Sequence, residues 1–298
     1  MARKGLPVIG VFDSGYGGLT VLRALLRDLP DRSFRYFGDH ALAPYGNRSA
    51  EEIHALTRAA VERLFGLGCR LVVVACNTAA ATSLRRLQQT WLPAYHPDRR
   101  VLGVLVPVVE AITGVAWMAP PPARHPGPGG RTVAVFATRQ TVLSNAYPIE
   151  IGKRAPDVTV VQQACPTLVD LIESGQPVER IRHAVEDYVD QLMGRLPSGR
   201  PDVAVLGCTH YPLIADLFAE ALPSGVEVLS QPDLVARSLS AYLLRHPELD
   251  RRDAAPQVGF LTSGDPVQVS RRSTAFLGCR VDFRHASGYP SNASAVSS

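Results

Sequence analysis

The chain has 298 residues, 46% of them hydrophobic and 19% charged, with a formal net charge of +4. That balance excludes a disordered chain and supplies a core for one large or two moderate domains. Basic residues are scattered or in short pairs such as Arg85-Arg86 and Arg251-Arg252, without interleaved aromatics, so no nucleic-acid partner is expected.

The start, Met1-Ala2-Arg3-Lys4, is basic, but the apolar run after it is short and meets Asp13, so no signal peptide is expected. Residues 7–12 read as a buried strand, followed by the turn Asp13-Ser14-Gly15-Tyr16-Gly17-Gly18. A helix over 19–29 places Leu22, Leu25, Leu26 and Leu29 on one face. A short strand at 34–37 leads into the irregular Gly38-Asp39-His40-Ala41-Leu42-Ala43-Pro44-Tyr45-Gly46. Ser49 caps a helix reaching Gly66, with Glu51 and Glu52 in its first turn. A strand at 71–74 precedes Cys76 and a helix over 78–89. Residues 99–106 read as a strand, and Pro107 opens a helix to about Trp117. The Pro- and Gly-rich residues 120–130 can be neither helix nor central strand and read as an inserted loop.

The pattern then restarts. Strands are expected at 132–136, 158–162, 203–206, 226–229 and 258–261, with an edge strand at 281–283. Helices are expected from Val142, over 178–193, 211–221 and 234–244, and from Ser273. Thr167 to Glu173 forms a short segment closed by Ser174-Gly175, and the small, polar tail from Ser287 is expected to be mobile. No stretch is long and apolar enough to cross a bilayer, so no membrane partner is expected. The glycosylation match Asn292-Ala293-Ser294 has no meaning for a chain expected in the cytoplasm.

Alternating apolar strands and helices specify an α/β fold with mostly parallel sheets. The alternation contains a weak duplication. Asp13 and Thr138 each follow a first strand, and Cys76 and Cys208 each follow a later one at a similar separation. Two pseudo-equivalent lobes facing each other would bring both cysteines to a shared inter-lobe cleft, where ligands of parallel sheets bind.

Two facing thiols can remove a proton from one face of a carbon and return one to the other, inverting a stereocentre without redox chemistry. Asp13 could serve one thiol and His210 the other. Ser14, Asn77, Thr78 and Thr209 are short donors suited to a carboxylate. No CxxC is present among the five cysteines, so neither a metal site nor disulfide exchange is expected, and a reducing compartment fits. Cys69, Cys165 and Cys279 are assigned to packing, with Cys165 the one placed to reach the cleft. Taken singly, a strand-end cysteine is more often core, Asp13-Ser14-Gly15 is a turn, and His210 is as readily structural. The turn after the first strand is not GxGxxG and lacks the lysine of a phosphate loop. A two-lobed binding protein without activity is the non-enzyme alternative, but it has no use for a cysteine at both matching strand ends.

Several blocks carry a family resemblance. They are Phe12-Asp13-Ser14-Gly15-Tyr16-Gly17-Gly18-Leu19, Tyr36-Phe37-Gly38-Asp39 with Pro44-Tyr45-Gly46, and Ala75-Cys76-Asn77-Thr78-Ala79. Ala164-Cys165-Pro166 with Glu173, and Leu206-Gly207-Cys208-Thr209-His210-Tyr211-Pro212-Leu213, continue the series, and Thr262-Ser263-Gly264-Asp265 and Phe276-Leu277-Gly278 complete it. In this order they resemble the glutamate racemases of the cofactor-independent aspartate/glutamate racemase superfamily.

The resemblance implies two α/β lobes, one of residues 1–99 plus 231–298 and one of residues 100–230. It implies interconversion of L- and D-glutamate for peptidoglycan, without cofactor or metal, in a homodimer. By the same resemblance Cys76 acts on the D-isomer with Asp13 as helper, and Cys208 on the L-isomer with Glu173 and His210. Asp13, Ser14, Pro44, Tyr45, Gly46, Asn77, Thr78, Thr209 and His210 match positions that hold the amino acid, as does Thr141 from the second lobe. His40, Ala80, Ala137, Glu110 and the loop at 120–130 depart from the family pattern, and His40 and Glu110 keep aspartate open as a substrate.

Overall fold

The computed structural model describes residues 8–117, 119, 130–196 and 199–287. The basic start, Pro7, residues 120–129 of the Pro-rich stretch, Asn292 and the tail beyond Ser287 lie outside the described residues.

In chain order the strands are β1 (Ile9–Asp13), β2 (Phe34–Gly38), β3 (Leu71–Val74), β4 (Arg100–Gly103), β5 (Thr132–Ala137), β6 (Thr159–Ala164), β7 (Val203–Gly207), β8 (Glu227–Leu229), β9 (Val258–Thr262) and β10 (Arg284–His285). They form two sheets, one ordered β10-β9-β2-β1-β3-β4 and the other β6-β5-β7-β8. Every pairing is parallel. The central strands β1, β3, β5 and β7 are buried throughout, as continuous apolar runs shielded on both faces must be.

The helices are α1 (Gly18–Asp28), α2 (Ala50–Gly66), α3 (Asn77–Ala79), α4 (Leu92–Tyr95), α5 (Leu105–Thr113), α6 (Arg139–Leu143), α7 (Ala146–Gly152), α8 (Leu168–Glu173), α9 (Val178–Met193), α10 (Ala215–Ala221), α11 (Gln231–Arg245) and α12 (Pro266–Leu277). Helix α3 runs into α4 through two widened turns, Ala80–Leu84 and Leu87–Trp91, so this helix outlasts the expected end at Gln89.

Side chains alternate across the second sheet with the period of a strand. Val133, Val135, Val203 and Val205 join the large core that includes β1 and β3, whereas Ala134, Phe136, Ala204 and Leu206 pack with α9 and α10. The chain then returns to the first lobe, where α11 packs on α1 and β9 pairs with β2.

Several boundaries differ from expectation. Strand β4 stops at Gly103, and α5 starts at Leu105, so Pro107 sits in the first turn, where a missing N–H breaks no helical bond. Helix α5 ends short of Trp117 because Gly114 adopts a left-handed φ of 64°. Strand β4 pairs with β3, so the first sheet extends past the expected lobe boundary at residue 99. Helix α12 begins well before Ser273, because the Asp265 carboxylate caps it by accepting from the Val267 N–H at 2.8 Å. The edge strand falls at Arg284–His285 rather than at 281–283.

Helix α2 starts with a reciprocal cap. Ser49 Oγ accepts from the Glu52 N–H at 3.3 Å, and Glu52 Oε2 accepts from the Ser49 N–H at 2.9 Å. Ser49→Ala is expected to lower the free energy of unfolding by about 1 kcal/mol, read from urea denaturation. An unchanged midpoint would mean the cap contributes nothing.

Candidate active site

The C-terminal ends of β1 and β3 in one sheet face those of β5 and β7 in the other across a small cavity. It is lined by Ser14, Cys76, Asn77 and Thr78 from one lobe and by Thr138, Cys208, Thr209 and His210 from the other. Pro44, Tyr45, Gly46 and Asn47 close one side, and Arg139, Pro166, Val169 and Asp170 complete the rim. The volume is about 40 Å³, room for about three waters.

The glycine-rich turn after β1 exists because the lobes touch there. A Cβ on Gly17 would collide with Thr209 Oγ1 and the His210 ring, and one on Gly18 with the Asp13 side chain. Thr20 Oγ1 donates to the Thr209 carbonyl at 3.0 Å, tying α1 to the turn after β7. Asp13 Oδ1 accepts from the Gly15 N–H at 2.8 Å, and Asp13 Oδ2 accepts from Thr209 Oγ1 at 3.4 Å. Asp13 is wholly buried, and that burial raises its pKa even though His210 and backbone N–H groups oppose the shift.

Cys76 caps α3, its Sγ accepting from the Ala79 N–H at 3.4 Å and lying 3.3 Å from Ser14 Oγ. Burial, helped by the nearby Asp13 charge, pushes its thiol up to about 12. On the other side, Cys208 Sγ lies 3.7 Å from His210 Nδ1, and His210 Nε2 lies 2.7 Å from Glu173 Oε1. Burial works against charge on His210, but its bonds to Cys208 and Glu173 outweigh that and carry the ring up to about 10. The two thiols therefore sit in different electrostatic settings: Cys76 near a buried carboxyl, Cys208 beside the imidazole of His210.

Threonine hydroxyls bridge the lobes as well. Thr78 Oγ1 lies 2.9 Å from Thr138 Oγ1, which in turn lies 3.0 Å from Thr141 Oγ1. Thr141 is fully buried behind Thr138 and does not line the cavity. Tyr45 turns its hydroxyl away to donate to Asp39 Oδ2 at 2.7 Å, and Ser263 Oγ donates to Asp39 Oδ1 at 2.6 Å. The Gly-Asp and Thr-Ser-Gly-Asp blocks thus hold Tyr45 in place.

Of the expected site residues, Glu173 reaches the cavity only through His210. It lines a neighbouring cavity of about 350 Å³ with Tyr16, His40 and Arg272. Cys165 is buried and leaves the lining to Pro166. All five cysteines are free thiols, with Cys69 buried and Cys279 exposed. No cluster of three or more candidate ligands for a metal occurs among the described residues.

Of the family departures, His40, Ala80, Glu110 and Ala137 lie outside the cavity wall, and residues 120–129 are outside the described residues. His40 Nδ1 is 2.9 Å from Thr262 Oγ1, its ring meets Tyr16 edge-on at 4.4 Å, and burial pushes it down to about 4. Glu110 accepts from the Trp117 N–H at 2.7 Å, far along α5 from the site. Ala137 is a buried end of β5.

Sequence reasoning missed Thr138 as a wall residue, Arg139 and Asp170 at the rim, and two buried groups behind Asn77, Gln231 and Tyr147. Thr138 carried a signal, since it follows the first strand of the second lobe as Asp13 does in the first. Gln231 and Tyr147 carried none, because their partner lies 154 and 70 positions away.

The raised His210 has a consequence for stability. Its folded value lies above the ordinary 6.5, so its contribution is complete below about pH 6.5 and is lost as pH rises through about 10. Urea denaturation of wild type and Glu173→Gln from pH 6 to 10 is expected to show the gap between them narrowing as pH rises. A gap that stays constant across that window would mean His210 is not held protonated by Glu173.

No family model matches the chain. A glutamate racemase from Dinoroseobacter shibae is 48% identical over 276 residues, 93% of this chain and 97% of that protein. The solved structure of a glutamate racemase isoform from Bacillus anthracis superposes with a TM-score of 0.81 at 30% identity, covering 94% of this chain and 97% of its own. A Francisella tularensis glutamate racemase solved in complex with D-glutamate has a TM-score of 0.77 at 26% identity, covering 94% and 95% of the two chains. The fold, the paired strand-end cysteines and these relatives agree: the chain belongs to the glutamate racemase family of the cofactor-independent aspartate/glutamate racemases.

Proposed function

We propose that this protein interconverts L- and D-glutamate by a two-base mechanism in which Cys76 and Cys208 work on opposite faces of Cα. The observation that carries the reading is that one thiol from each lobe lines the same small cavity, each with its own acid-base neighbour.

From L-glutamate, the Cys208 thiolate takes the Cα proton and becomes a thiol. The Cys76 thiol delivers its proton to the opposite face and becomes a thiolate, so one C–H bond breaks and another forms. The reverse direction exchanges the roles. His210 Nδ1 lies where it can take or return the Cys208 proton, and Glu173 holds the ring from the other nitrogen. Asp13 serves Cys76, and Ser14 lies against its sulfur.

The carbanion needs aligned donors and little water. Asn77, Thr78, Thr138 and Thr209 supply donors for the carboxylates, and Pro44, Tyr45 and Gly46 wall off solvent. Thr78 and Thr138 line the cavity and meet each other at 2.9 Å, so bound substrate would take up that contact. Product D-glutamate would supply peptidoglycan precursors in the cytoplasm. Among the described residues no helix is long and apolar enough to cross a membrane. A homodimer belongs to the same proposal through the family resemblance, and light scattering checks it.

Turnover of each glutamate enantiomer in heavy water tests the mechanism. Wild type is expected to racemise both with deuterium entering Cα. Cys76→Ser and Cys208→Ser are each expected to lower racemisation by at least about 10²-fold. Unchanged turnover in either variant would sink the two-base assignment, and faster turnover of aspartate than of glutamate would move the substrate.

A further inference from the structure

Behind the cavity wall, a buried polar cluster fixes one wall residue from both lobes. Asn77 begins α3, directly after Cys76, and is almost wholly buried while lining the cavity. Its Nδ2 donates to Gln231 Oε1 at 2.5 Å, and its Oδ1 accepts from Gln231 Nε2 at 2.6 Å. The two side-chain amides thus form a reciprocal pair. Tyr147 closes a triangle: its hydroxyl donates to Asn77 Oδ1 at 3.1 Å and accepts from Gln231 Nε2 at 2.8 Å. Gln231 and Tyr147 are fully buried, and neither lines the cavity. Gln231 is the first residue of α11, where the chain returns to the first lobe, and Tyr147 lies on α7, which follows β5 in the chain.

An amide oxygen has two acceptor sites and an amide nitrogen two N–H groups. Gln231 and Tyr147 occupy both sites of Asn77 Oδ1, and Gln231 takes one N–H. One N–H of Asn77 is left for whatever occupies the cavity. We propose that Gln231 and Tyr147 are positioning residues that lock the Asn77 amide with its remaining N–H turned into the cavity, so that this wall selects a carboxylate oxygen of the substrate. Without the lock, the amide rotates and presents an oxygen to that anion part of the time. The cluster joins both lobes at the residue next to a reactive thiol.

This inference rests on the glutamate reading. The test is a set of KM and kcat values for both glutamate enantiomers in wild type, Gln231→Met, Tyr147→Phe, Asn77→Ala and the Asn77→Ala/Gln231→Met double variant. Met fills the volume of Gln231 without its hydrogen bonds, and Phe removes only the hydroxyl. Gln231→Met is expected to raise KM about tenfold, with kcat within about threefold of wild type. Tyr147→Phe is expected to raise KM by a smaller factor in the same sense. Because Gln231 acts through Asn77, the double variant is expected to match Asn77→Ala alone. A merely structural role predicts instead that the two effects multiply, and that result overturns the lock. KM values within twofold of wild type in both Gln231→Met and Tyr147→Phe also overturn it. If Gln231→Met does not fold, Tyr147→Phe combined with Asn77→Ala gives the same comparison. Wild-type turnover of glutamate separates the two levels: its absence overturns the functional reading together with the lock, whereas its presence with unmoved KM values overturns the lock alone.

Discussion

The structure depends on the direct contact between the turn after β1 and the turn after β7. Two sheets can share a site only if their strand ends approach without side chains in the way. Gly17 leaves the space that Thr209 and His210 fill, and Gly18 leaves the space for Asp13. The buried hydrogen bonds that result, Thr20 to the Thr209 carbonyl and Thr209 to Asp13, join the lobes at the point where the chemistry sits. An unpaired polar group in that buried seam would cost about 1–3 kcal/mol, so the pairing constrains both turns at once.

From that contact follows the difference between the two thiols. Each cysteine ends a parallel strand and is 5% exposed, so burial alone would treat them alike. Their neighbours separate them. The first lobe places a buried carboxyl near Cys76, and the second places a ring held by Glu173 beside Cys208. A site that must take a proton on one face and give one on the other gains from such unlike settings.

Much of this was legible in the chain. Apolar strands followed by helices announce a parallel α/β fold, because strands buried on both faces carry continuous apolar runs. Cys76, Cys208, Asp13 and Thr138 were legible as strand-end residues, since the end of a strand is marked locally by turn and cap residues. Boundaries that hinge on one capping group were less so: Asp265 starts α12 early, and Gly114 stops α5 early. Glu173 shows the limit for the site. The motif around it identifies the residue, but only the fold shows that it reaches the cavity through His210 rather than directly.

The sequence by itself determined the alternation of strands and helices, the two strand-end thiols and the polar residues beside them, because these depend on neighbours a few positions apart. The tertiary structure decided which of those groups meet. Thr209 reaches Asp13 across 196 positions, Gln231 reaches Asn77 across 154, and Thr78 reaches Thr138 across 60. Such pairings follow from how the strand ends of two sheets face each other and where the chain crosses between them. That geometry leaves no periodicity or local motif at the paired residues themselves.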